Sequence, residues 1–120
     1  MADNIHTTFD RLLTRADKEK QIGQKARVIW LTGLSGSGKT TIAEAIEKKL
    51  ADMEFLTQVL DGDNIRTGIN NNLGFSDADR SENIRRIAEV SKLFLNCGII
   101  TINCFVSPTI TMRKQARKII

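Results

Sequence analysis

The chain has 120 residues, 41% hydrophobic and 27% charged, with a formal net charge of +4. That length suits one domain with a buried core, and the composition is that of an ordinary soluble globular protein. No long basic run accompanies the charge and aromatics reach only 5%, so neither a nucleic-acid surface nor a stacking platform for single strands is expected. Phosphate-bearing small molecules are the simpler partner.

Residues 1–26 read as an N-terminal helical extension and linker. Phe9, Leu12 and Leu13 share a helical face, Arg11, Arg15, Asp17, Lys18 and Glu19 lie elsewhere, and Gly23 marks the linker. Acidic residues interrupt the basic ones, which argues against a nucleic-acid arm. Met1-Ala2-Asp3-Asn4-Ile5 carries no basic-then-apolar signal region, and no apolar run approaches membrane length. No membrane partner and a cytoplasmic location are therefore expected. Cys97 and Cys104 fit neither a zinc spacing nor a disulfide framework, and read as two partly buried thiols in a reducing compartment.

The second part of the chain, residues 27–120, opens with a strand over Arg27 to Thr32, apolar on both faces as a central parallel strand should be. Gly33-Leu34-Ser35-Gly36-Ser37-Gly38-Lys39-Thr40 follows at once, and Thr41 to Leu50 then reads as a helix. This is G-x-x-x-x-G-K-[ST] between a strand and a helix, the context that the phosphate-binding P-loop requires. Gly33, Gly36 and Gly38 let the backbone turn successive N–H groups inward as an anion nest. The helix start adds its orphan amides and the positive end of its dipole. Lys39 can reach the β- and γ-phosphates, and the Thr40 hydroxyl can hold Mg²⁺. A bound nucleoside triphosphate is expected, with residues 33–41 around its phosphates.

The first helix should end near Met53. Leu56 to Leu60 is a second strand that runs directly into Asp61-Gly62-Asp63-Asn64, where open α/β sheets bind ligands. Read alone, the same residues are a plain turn with a helix cap at Asp63. Ile65 to Leu73 is a short helix or loop rich in Asn. Ser76 then caps a long helix, with Asp77 and Asp79 at its positive end and Ile84, Ile87, Ala88, Ser91, Phe94 and Leu95 on or near one face. It should run to about Cys97 and stop at Gly98. Ile99 to Val106 is the third strand, closed by Ser107-Pro108, and a last helix covers roughly Thr109 to Ile120. Strands alternating with helices predict βαβ units and a parallel sheet.

Arg66, Arg80, Arg85 and Arg86 fall between the second and third strands, and guanidinium groups suit bidentate capture of phosphate or sulfate oxygens. Arg85 and Arg86 are adjacent, so at least one is expected to be ordinary helix surface. Arg66 and Arg80, near helix starts, are the better candidates. Phe75 is either a core plug or a face on which a purine stacks, and burial statistics favour the plug.

The blocks Leu60-Asp61-Gly62-Asp63-Asn64-Ile65-Arg66, Asn72-Leu73-Gly74-Phe75-Ser76-Asp77-Ala78-Asp79-Arg80 and Glu82-Asn83-Ile84-Arg85-Arg86 together resemble adenylyl-sulfate kinase (APS kinase). The spelling Trp30 to Thr40 and the run Phe105-Val106-Ser107-Pro108 are similar to that family too, so the likeness extends from about residue 27 to the end. The resemblance implies an α/β fold of the P-loop kinase type: three layers, α/β/α, around a parallel sheet. It implies transfer of the ATP γ-phosphate to the 3′-hydroxyl of adenosine 5′-phosphosulfate (APS), with ATP and Mg²⁺ as cofactors. By that likeness Asp63, with Asp61 beside it, sits near the 3′-hydroxyl and can also hold Mg²⁺ through water. Arg66, Arg80 and Asn83 grip the phosphosulfate and ribose, and Phe75 stacks on the adenine. Val106 and Ser107 complete the substrate site. Ser107 falls at a family position described as a phosphoserine intermediate. In-line transfer between two bound nucleotides, however, needs positioning and charge neutralisation rather than a covalent relay.

The family domain continues with another strand, a lid carrying basic residues, and a further strand and helix. The expectation is therefore that the C-terminal strands and lid are missing from these residues and that the chain alone is weakly active or inactive. The family also suggests a homodimer. Two other readings remain: another small-molecule P-loop kinase acting on a nucleotide, nucleoside or sugar acid, and a non-catalytic nucleotide-binding fragment completed by a partner.

Overall fold

The computed structural model describes residues 11–31, 38–105 and 110–120, with Asp63 and Ile110 by backbone alone. Among these, three strands form one parallel sheet in the order β1-β3-β2: β1 is Val28–Leu31, β2 Thr57–Asp61 and β3 Ile100–Cys104. Val28 stands opposite Thr101 and Leu31 opposite Cys104 on one side of β3. On its other side Thr57 stands opposite Ile100 and Asp61 opposite Cys104. The register therefore brings Leu31, Cys104 and Asp61 level at the carboxyl edge.

Five helices accompany the sheet among the described residues: α1 Arg15–Ile22, α2 Lys39–Asp52, α3 Gly62–Arg66, α4 Asp77–Asn96 and α5 Ile110–Ile119. Two apolar cores divide them into layers. Ala43, Ile46 and Leu50 of α2 pack with Ile29, Leu31, Val59, Ile102 and Cys104 on one face of the sheet. On the opposite face Ile84, Ile87 and Ala88 of α4 and Met112 and Ala116 of α5 pack with Leu60, Trp30 and Phe105. Alternate residues of each strand thus feed opposite cores, as the pleat requires. The result is the expected three-layer α/β/α arrangement. Fully burying a side chain such as Ile102, which is inaccessible to solvent, contributes about 2 kcal/mol.

Among the described residues β3 lies between β1 and β2. All five residues of β3 are buried, whereas those of β1 are each half-buried. Helices cover β1 on both faces, which explains its apolar spelling. Among the described residues, however, it has only one strand neighbour.

The N-terminal segment departs most from expectation. Leu12 and Leu13 are 59% and 64% exposed and precede the helix. The reason is local: Thr14 is extended, and its hydroxyl accepts the Asp17 N–H (3.2 Å) while the Asp17 carboxylate accepts the Thr14 N–H (2.9 Å). That reciprocal capping box starts α1 at Arg15. The Thr14 backbone and hydroxyl bonds hold the Asp17 carboxyl below the usual carboxylate range. Gly23, at φ 74°, ends the helix in the left-handed conformation that a side chain disfavours. Gln24 then ties the connecting segment to the amino edge of the sheet. Its amide donates to the carbonyls of Leu56 (2.9 Å) and Gly98 (2.8 Å) and its oxygen accepts the Leu56 N–H (2.8 Å).

The remaining boundaries follow the expected signals. Ser76 caps α4 by accepting the Asp79 N–H at 3.1 Å, and Gly98, at φ 83°, follows its end. Cys104 is buried as expected, but Cys97 is exposed, because it lies at the C-cap of α4 beyond the apolar face. No described helix is long and apolar enough to cross a membrane.

Candidate active site

Among the described residues, Lys39 and Asp61 of those singled out in the sequence lie at the carboxyl edge of the sheet. Helix α2 begins there at Lys39, and its first intrahelical bond runs from Ile42 N–H to the Gly38 carbonyl at 3.1 Å. Gly38 occupies the N-cap position at φ 88°, a left-handed conformation in which a Cβ would be strained. It has no side chain to cap the helix, and the first turn holds no acidic residue. Lys39, Thr40 and Thr41 therefore open a helix whose amino end carries the dipole's partial positive charge with no protein carboxylate in that turn to offset it. Residues 33–37 of the motif lie outside the described residues, as do Val106 and Ser107.

Cys104, at the end of β3, links the two halves of this edge. Its thiol donates to the Lys39 carbonyl at 3.7 Å. Burial pushes the thiol pKa up; the Asp61 charge adds to the rise and the Lys39 charge opposes it. The charges of Lys39 and Asp61 thus both act on the same sulfur. Asp61 ends β2 and its carboxylate accepts the Asn64 N–H at 3.3 Å, so the residue capping α3 is Asp61, not Asp63. Asp63 is the second residue of α3.

Between α3 and α4 the chain makes a loop whose polar groups are closely accounted for. The Arg66 guanidinium donates to the carbonyls of Leu73 (3.3 Å) and Gly74 (3.0 Å), and its carbon lies 4.4 Å from the centroid of the Phe75 ring. Arg80 donates through Nε to the Phe75 carbonyl at 3.1 Å. Phe75 is 71% exposed. It is not a core plug: the flanking peptides are bound to Arg66 and Arg80, and the ring is left to solvent and to one guanidinium face. Because β3 begins where α4 ends, α4 runs antiparallel to the strands and its capped start returns to the carboxyl edge. The Phe75 loop thus belongs to the same edge as Lys39.

Asn83 is 6% exposed, and its Oδ1 accepts a hydrogen bond from Nδ2 of the buried Asn70 at 2.7 Å. Arg86 donates to the Ile69 carbonyl (3.3 Å), Asn70 Oδ1 (3.3 Å) and Asn72 Oδ1 (2.8 Å), and so binds the Asn-rich turn to α4. Arg85 pairs with Glu82 on the exposed face of α4, and that guanidinium holds the Glu82 carboxyl below its ordinary range. Of the adjacent arginines, Arg85 is the surface one. Asn70 stands in an Asn run, residues 70–72, that is spelled as plain loop; the signal for its role is an amide-rich turn within reach of an Asn and an Arg on α4.

A strand, a G-x-x-x-x-G-K-T sequence and a helix whose first residue is that lysine, within a parallel α/β/α sandwich, define the P-loop kinase class. A model of the adenylylsulphate kinase family matches residues 25–120. The chain belongs to that family. It is 61% identical over 118 residues to an adenylyl-sulfate kinase of Bacteroides fragilis, covering 98% of this chain and 58% of that relative. The fold is similar to the solved APS kinase of Mycobacterium tuberculosis in complex with AMPPNP and APS, with a TM-score of 0.77, 45% identity, 80% of this chain and 56% of that one. It is also similar to a hexameric APS kinase from Thiobacillus denitrificans, with a TM-score of 0.73, 33% identity, 87% of this chain and 22% of that one. The chain thus spans a little over half the length of the curated relative, 58%.

Proposed function

We propose that the protein built on this chain phosphorylates the 3′-hydroxyl of adenosine 5′-phosphosulfate with ATP, giving 3′-phosphoadenylyl sulfate and ADP. The observation that carries the reading is the pairing, at one sheet edge, of an uncapped helix start bearing Lys39 with a loop that holds Phe75 outward between Arg66 and Arg80. The first suits a triphosphate and the second a nucleotide with a purine face and an anionic group. The APS kinase solved with AMPPNP and APS supports the same pair of ligands for this chain.

Transfer forms a bond from the ribose 3′-oxygen to the γ-phosphorus and breaks the γ-phosphorus bond to the β,γ-bridging oxygen. ADP leaves, and the hydroxyl proton passes to Asp63. A ribose hydroxyl is a weak acid, so Asp63 orients it and accepts the proton late, which a loose transition state allows. Lys39 neutralises charge on the β- and γ-phosphates. Residues 33–41 cradle those phosphates, Arg66, Arg80 and Asn83 face the phosphosulfate and ribose, and Val106 and Ser107 line the acceptor side. Ser107 hydrogen-bonds substrate and forms no covalent intermediate. Thr40 and Asp63 would hold Mg²⁺, a hydroxyl and a carboxylate being oxygen ligands that suit a hard cation, which keeps several waters and binds substrate phosphates. When bound, it screens the phosphate charge. The protein works in the cytoplasm and assembles as a homodimer, although the hexameric relative shows that family members reach higher order.

The test is phosphoryl transfer from ATP to APS by this chain and by one extended to the length of its relatives. Activity in the extended protein, lost in Lys39→Ala and Asp63→Ala, supports the reading. An extended protein that binds ATP and ignores APS, or prefers another nucleotide or a sugar acid in a substrate panel, overturns it.

A further inference from the structure

Phe75 poses a physical problem: a large apolar ring on a loop gains by folding inward, yet it stands 71% exposed. Three hydrogen bonds keep it there. Asp79 Oδ2 accepts the Gly74 N–H at 2.8 Å, Arg66 donates to the Gly74 carbonyl at 3.0 Å, and Arg80 donates to the Phe75 carbonyl at 3.1 Å. The Gly74 peptide is thus gripped at both its donor and its acceptor. Asp79 is the anchor of this set, because it sits in the first turn of the long helix α4 with its own N–H bound to Ser76. Gly74 is matched to it: a Cβ there would lie 3.1 Å from Asp79 Oδ2, closer than most real Cβ contacts.

We propose that Asp79 is a positioning residue for the acceptor nucleotide: its bond to Gly74 fixes the Phe75 ring outward as a ready-made stacking face. The role rests on the reading that Phe75 stacks on the adenine of the acceptor. Arg66 occupies one face of the ring, so the latch presents the opposite face to the base. A loop already held in its binding conformation loses less freedom when the nucleotide arrives. Without the latch, that ordering falls on binding, and the loss appears in acceptor affinity rather than in the phosphoryl-transfer step.

A purely structural Asp79, serving only the positive end of α4, predicts something different. Acceptor kinetics of the protein extended to the length of its relatives separate the two. Asp79→Ala is expected to raise the KM for APS about fivefold, in line with freeing one ordered side chain and its loop. The kcat and the KM for ATP should stay within about twofold of the parent. Asp79→Asn keeps an oxygen to accept the Gly74 N–H but removes the charge, so it should restore the APS KM while lowering thermal stability as Asp79→Ala does. The double variant Phe75→Ala with Asp79→Ala should match Phe75→Ala alone, because residues acting through one another are not additive. The proposal is overturned if Asp79→Ala leaves the APS KM unchanged while Phe75→Ala raises it, or if the two effects add. A Phe75→Ala variant with an unaltered APS KM has a separate signature: it removes the stacking reading itself, and this role with it.

Discussion

Two helices begin at the same edge of the sheet, and they begin in opposite ways. Helix α4 is capped by the Ser76 hydroxyl and has Asp77 and Asp79 in its first turn. Helix α2 begins on a left-handed glycine with no capping side chain and no acid in its first turn. Capping and charge complementarity each stabilise a helix start by about 0.5–1 kcal/mol, so α2 forgoes what α4 takes. A helix start that declines protein anions is suited to receive a foreign one. Local rules of stability give way where a ligand is meant to complete the structure.

The largest expected effect comes from removing the cation at the open start. In the extended protein Lys39→Ala should lower kcat by about 10²–10³-fold, the range for loss of one preorganised charge-stabilising group, with the fold intact by circular dichroism. A subtler change makes α2 resemble α4. Thr41, exposed in the first turn of α2, can be replaced by Asp. Thr41→Asp should raise the thermal midpoint, because an acid there adds about 0.3–1 kcal/mol. The same variant should weaken ATP binding about tenfold through repulsion of the phosphates. Calorimetry and titration would read the two signs separately, and an unchanged ATP affinity would break the comparison. The smallest effect lies at the other helix: Ser76→Ala should cost about 1 kcal/mol of stability while leaving ATP binding as it was.

The fold was legible because its signals were strong and local. The β-branched run ending at Cys104 made β3, Ser76 and Gly98 marked the limits of α4, and the glycine motif placed α2. Less legible were features settled by groups distant in sequence or by a single cap. Leu12 and Leu13 have helical spacing, yet the Thr14–Asp17 box starts the helix after them. Apolar spelling marks β1 as covered by helices on both faces, and such spelling says nothing of how many strands flank it. Phe75 looked like core because burial statistics describe average rings, and this one has both neighbouring peptides pinned by arginines. Sequence alone could name Arg66 and Arg80 as candidates for anions. It could not show that each already donates to the loop's own backbone, Arg66 to two carbonyls and Arg80 to one.

The strand order has a consequence for how the chain acquires its structure. Among the described residues β1 and β2 never touch: each pairs only with β3, the last of the three in sequence. On a ribosome, where domains take shape as the chain emerges, the first two strands come out with no partner for their backbone groups. Every ladder bond described in this sheet involves β3, and so waits for Ile100–Cys104. The early helices can form alone as each is made, but pairing distant strands is intrinsically slow. Until β3 arrives, Val28–Leu31 is an unpaired apolar strand, the kind of segment that invites association between nascent chains.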